Sequence, residues 1–101
     1  MIVVNAVIEA TQETIEALKE AISVMENKSR AEEGCHDYTF SVELSNPDVI
    51  RITEKWENMS ALEAHFKVPH MADFQRVMAA HPPRSVDANF YEVTEVPPPA
   101  M

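Results

Sequence analysis

Ile2 to Glu9 is a run of apolar, mostly β-branched positions broken by Asn5, with Val3, Asn5 and Val7 on one face of an extended segment and Ile2, Val4, Ala6 and Ile8 on the other. Both faces are largely apolar. That predicts a strand covered on both sides, by helices on one and by a partner subunit on the other. The period then lengthens: Ile15, Leu18, Ile22 and Met25 recur at helical spacing, while Glu13, Glu16, Lys19, Glu20 and Lys28 fill the opposite side. Thr11 supplies an N-cap, and Gly34, which adopts the left-handed conformation at low cost, is the expected helix stop.

Period two returns from Asp37 to Leu44, with Tyr38, Phe40, Val42 and Leu44 on one face. Ser45-Asn46-Pro47-Asp48 is turn chemistry, and Val49 to Trp56 completes a hairpin in which Ile50, Ile52, Glu54 and Trp56 share a face. Ser60-Ala61-Leu62-Glu63 has the form of a capping box and opens a short helix carrying Leu62, His65 and Phe66 on one side. Pro69 restarts the helix, Met71, Phe74, Val77 and Met78 form its apolar side, and His81-Pro82-Pro83 ends it. Val86 to Val96 reads as a last strand, followed by a proline-rich tail.

The order strand, helix, strand, strand, broken helix, strand is the split βαββαβ arrangement of a ferredoxin-like α+β fold, an antiparallel sheet with helices on one face. One domain over residues 1–96 and a tail over 97–101 follow from the pattern. The uncovered sheet face predicts a homodimer.

Composition narrows the function. The chain carries 8 Lys+Arg against 17 Asp+Glu, a net charge of -9, so neither nucleic acid nor an anionic membrane surface is an expected partner. Its one glycine cannot write a dinucleotide or phosphate-binding loop, and no common zinc spacing can be assembled, so no metal site is expected. The single cysteine, Cys35, forms no internal disulfide, no apolar run reaches membrane-spanning length, and the N-terminus reads as a strand; a cytoplasmic protein is expected.

Three motifs together resemble one family. They are E-x-G-C-x-x-Y at Glu32 to Tyr38, E-x-W at Glu54 to Trp56, and A-L-x-A-H-F-x-x-P-H at Ala61 to His70, and they resemble the antibiotic biosynthesis monooxygenase domain of the dimeric α/β-barrel superfamily. The resemblance spans roughly Ile2 to Val96. It implies a small oxygenase that needs no cofactor, metal or flavin, with dioxygen and a small aromatic or quinol-like molecule as substrates. Trp56 and Arg76 fall where polyketide-oxidising members have a tryptophan and an arginine, but Ile52 and Leu62 replace that group's asparagine and tyrosine. Asn5 matches the first-strand asparagine of haem-degrading members, whereas His65 and Gln75 stand near the places of their tryptophan and histidine ligand. The two-histidine run at His65 and His70 is shared with quinol-monooxygenase-like and sugar-isomerase-like relatives.

Oxidation of a quinol by dioxygen without a cofactor requires a base to make the electron-rich anion, a donor to hold it, and exclusion of water. His65 or His70 is the candidate base. Asn5 is the candidate oxyanion donor, and Trp56, Tyr38, Phe40, Phe66, Met71 and Phe74 are the candidate walls of an apolar box, with Arg76 beside them. The amide and the imidazole are expected to meet across one hollow roofed by the indole. The same parts serve an isomerase of a small hydroxyketone or phosphorylated sugar. They also have a purely structural reading, in which Trp56 and His65 are packing residues of a non-catalytic ligand-binding domain.

Overall fold

The computed structural model describes residues 1–100. Its elements are β1 (Ile2–Glu9), α1 (Gln12–Arg30), β2 (Cys35–Glu43), β3 (Asn46–Trp56), α2 (Met59–His65), α3 (Pro69–Ala80) and β4 (Ser85–Glu92). The strands form one antiparallel sheet in the order β2-β3-β1-β4. This is the ferredoxin-like split βαβ fold.

Register follows from the alternation in the first strand. Ile2 lies opposite Trp56, Val4 opposite Glu54, Ala6 opposite Ile52 and Ile8 opposite Ile50, and these even-numbered β1 residues are buried beneath the helices. On β2, Tyr38 pairs with Glu54 and Phe40 with Ile52, which brings the aromatic face of that strand to the same side. Helix α1 contributes the buried Ile15, Leu18 and Met25, each such side chain contributing about 1.5–3 kcal/mol relative to exposure. Thr11 caps it as expected, its Oγ1 accepting the Thr14 N–H at 3.1 Å.

The other sheet face bears Val3, Asn5 and Val7 and, from the paired strands, Thr53, Asn89 and Tyr91. Among the described residues no element covers it. The edge strand β4 is exposed along its whole length, and its Val86 and Phe90, on the helix side of the sheet, are each about half exposed.

Four boundaries differ from the sequence expectation. Helix α1 ends at Arg30 rather than running to Gly34, because residues 31–34 turn instead and Gly34 takes φ 82° at the start of β2. A side chain there would also collide with α2, since a Cβ on Gly34 would stand 2.7 Å from the Ala61 Cβ. The hairpin turn is Leu44-Ser45, with Asn46 and Pro47 already in β3. Pro47 lies beyond the end of the β1 pairing, so its missing N–H costs no ladder bond there. The cap of α2 is Asn58, whose Oδ1 accepts the Ala61 N–H at 2.9 Å, and not Ser60. Strand β4 stops at Glu92 because its partner β1 begins at Ile2; a last bond from the Val93 N–H to the Met1 carbonyl closes the pairing. Residues 93–100 carry no regular structure, and Met101 of the expected tail lies outside the described residues. Among the described residues no helix is long and apolar enough to cross a membrane.

Candidate active site

The helix-covered side of the sheet ends in a buried polar cluster. Trp56 closes β3 with no exposure, and its indole N–H donates to Glu54 Oε1 at 2.9 Å. Burial pushes the Glu54 carboxyl above the usual carboxylate range, an effect partly offset by the indole N–H and the nearby His65. His65, the last residue of α2, is fully buried, and its ring centroid lies 4.7 Å from Trp56 and 5.3 Å from Tyr38. The Tyr38 hydroxyl is pushed well above its ordinary range, first by burial and then by Glu54.

The centre of the cluster is a residue that the residue-by-residue reading did not select. Glu32, in the turn after α1, accepts from both histidines through a single oxygen: Oε2 is 2.8 Å from His65 Nδ1 and 2.7 Å from His70 Nε2. The three side chains are 12%, 1% and 13% exposed, so the contacts are shielded from water. A carboxylate accepts from an imidazole N–H, so in the neutral rings the hydrogen sits on His65 Nδ1 and His70 Nε2 and the lone pair on His65 Nε2 and His70 Nδ1. His65 Nε2 is sealed and has no partner.

His70 connects this cluster to open space. A cleft of about 320 Å³ runs between α1 and α3, with apolar walls from Ala17, Ala21, Val24, Met25, Phe74 and Val77 and polar positions at His70, Glu20 and Asp73. That volume suits a small ligand. The N-terminal proline of α3 sets His70 at the first turn, from which it reaches both Glu32 and the cleft.

The structure thus brings His65 and His70 together but not Asn5. Asn5 is exposed on the opposite face of the sheet, opposite Thr53 and Asn89, so no hollow is shared by amide, imidazole and indole. The expected wall is also corrected. Trp56, Tyr38 and Met71 are packed into the core with Ile2, Val4, Met25 and Leu62, leaving Phe74 as the one predicted wall residue that lines the cleft. Phe40 packs its edge on Phe74 at 5.8 Å, while Phe66 is half exposed with its ring 5.7 Å from His65. Arg76 is exposed and pairs with Asp73 at 3.0 Å, outside the cleft lining. Cys35 is not an activated thiol: burial, reinforced by Glu32 and Glu54, pushes it up to about 11.

The comparisons agree with the fold and the motifs. The family model for antibiotic biosynthesis monooxygenase matches residues 1–77, and the chain belongs to that family. Among curated proteins it is 36% identical over 55 residues to "Probable quinol monooxygenase YgiN" of Escherichia coli K12, a match covering 46% of this chain and 53% of that protein. The chain therefore spans about half the length of the curated relatives it matches. Among solved structures, a candidate antibiotic biosynthesis monooxygenase from Deinococcus radiodurans superposes with TM-score 0.89 at 24% identity over 100% of both chains. PA3566 from Pseudomonas aeruginosa gives 0.82 at 26% identity over 93% of this chain and 94% of its own.

Glu32 was visible only as a letter of a family motif, and Glu54 as a motif letter and as a polar position on the apolar face of the third strand. Glu32 lies 33 and 38 positions from its two imidazoles, beyond the reach of any local spacing rule.

Proposed function

We propose that the protein is a monooxygenase that oxidises a small, uncharged quinol-like ring with dioxygen, using no cofactor, and that His70 is its base. The observation that supports this reading is the Glu32 carboxylate held between two imidazoles, one of which lines an apolar cleft. Glu32 holds His70 in the tautomer with a free Nδ1 and stabilises the imidazolium that forms when Nδ1 takes the substrate's phenolic proton, work that typically contributes about 10²–10⁴-fold. The resulting anion gives an electron to dioxygen. In the balanced reaction one oxygen atom enters the ring, the other leaves as water, and the quinol becomes a hydroxyquinone. His65 donates to the same Glu32 oxygen and holds it in place, and Trp56 packs against His65.

The Glu20 carboxylate beside the cleft opposes an anionic substrate, and Asp73 is already paired with Arg76, which argues against a phosphorylated sugar. An isomerase of a neutral hydroxyketone would use the same base and is separated by oxygen dependence. The working unit is a homodimer, since β4 exposes Val86, Phe90 and Tyr91 on an unpaired edge.

The test is oxidation of a panel of reduced quinones under isotopically labelled dioxygen. Uptake above spontaneous oxidation, with one labelled atom in the ring and the other in water, is expected. Turnover under strict anaerobiosis, or uptake no faster than the uncatalysed reaction across the panel, contradicts it.

A further inference from the structure

Glu32, with 12% of its side chain exposed, has no Lys or Arg partner among the described residues; its only ion-pair partners are the two imidazoles. A largely buried carboxylate without a fixed cation is costly. A second carboxylate is close by, since the Glu32 charge helps to raise the Glu54 carboxyl. Three ligand atoms of the kinds that hold transition ions, two imidazole nitrogens and one carboxylate oxygen, lie within 4.8 Å of one another. They come from three segments: the turn after α1, the end of α2 and the start of α3.

We propose that Glu32, His65 and His70 form a binding site for a divalent first-row transition ion of the zinc or cobalt type, which replaces the two protons now shared on Glu32 Oε2. Two imidazoles and one carboxylate suit such an ion, and a three-residue set leaves coordination positions open. Bonds of about 2.0–2.2 Å at tetrahedral angles place ligand atoms roughly 3.4 Å apart, so the ion enters as Oε2 moves back from both rings and the two ring nitrogens draw together within a set that now spans 4.8 Å. His65 then carries its proton on Nε2, the buried atom that has no partner in the cluster. Of the three ligands, His70 also lines the cleft between α1 and α3.

This site is distinct in its consequence from the base chemistry proposed above: an ion on His70 and Glu32 removes the free base, so zinc inhibits turnover. Binding is nevertheless read without turnover, and the two ideas fail separately.

The experiment titrates the full chain with Co²⁺, following the visible ligand-field absorption, and with Zn²⁺, following Tm. One-to-one saturable binding and a rise in Tm are expected. Both are lost or weakened by about a hundredfold or more in Glu32→Gln and His70→Gln. Absence of saturable binding overturns the proposal, and so does binding that both variants retain, which would locate the ion at surface groups such as His36 and Glu57. Glu32→Gln keeps an acceptor for both imidazoles, and circular dichroism of each variant confirms that it is folded before titration.

Discussion

Glu32 and His70 are 38 positions apart in the chain, yet Oε2 of one and Nε2 of the other are 2.7 Å apart with both side chains largely shielded from water. The contact depends on the turn that follows α1. Because that helix stops at Arg30 and the chain reverses through Gly34, the Glu32 carboxylate is directed at the junction of α2 and α3 instead of into solvent.

The turn is therefore a sensitive place. Gly34→Ala adds a Cβ that meets Ala61 at 2.7 Å and forces a left-handed φ on a residue with a side chain. A loss of about 2 kcal/mol is expected, measured as a lowered urea midpoint with unchanged m. An unchanged midpoint would mean that the loop does not pack tightly against α2.

Glu54 predicts a pH dependence. Its folded-state affinity for a proton is raised above that of the unfolded chain, so its contribution to stability is fully present below the ordinary carboxyl value of 4.5 and is lost as pH rises through the higher folded value. Glu54→Gln keeps an acceptor for the Trp56 N–H and removes the titration. The difference in Tm between variant and wild type grows in favour of the variant as pH rises from acid to neutral. A difference that is constant with pH would place the Glu54 carboxyl in an environment no drier than water.

Asn5 is separated from the Glu32 cluster by the thickness of the sheet. Asn5→Ala is expected to leave kcat/KM for the quinol unchanged in a folded, correctly assembled protein. A drop in kcat at constant assembly would return the amide to the mechanism.

Strand β4 is expected to be covered in solution. Phe90→Asp and Val86→Asp shift the protein from dimer to monomer in sedimentation equilibrium, because a charge replaces apolar surface beside a free strand edge. A monomeric wild type would contradict the homodimer.

Most of the fold was legible because it is written in short-range periodicity. The alternation from Ile2 to Ile8, the pairing face of Ile50, Ile52 and Trp56, and the spacing of Ile15, Leu18 and Met25 each specify an element and its buried side. Even the misplacement of Asn5 could be read there. It shares a face with Val3 and Val7, whereas Trp56 shares one with the residues that α1 buries. What periodicity could not convey was the meeting of Glu32 with two distant histidines, because that contact depends on a tertiary turn and two helix ends. For the same reason Trp56 and Tyr38, predicted as pocket walls, turned out to be core, and the cleft opened between α1 and α3 with Phe74 as its aromatic wall.

The central claim is that the carboxylate-held His70 removes the substrate proton. It is tested most directly by the initial rate of quinol-dependent oxygen uptake in His70→Gln and Glu32→Gln, each verified as folded. The account predicts a loss of about 10²–10⁴-fold in kcat for His70→Gln and a substantial part of that loss for Glu32→Gln. Wild-type rates in both variants would contradict it.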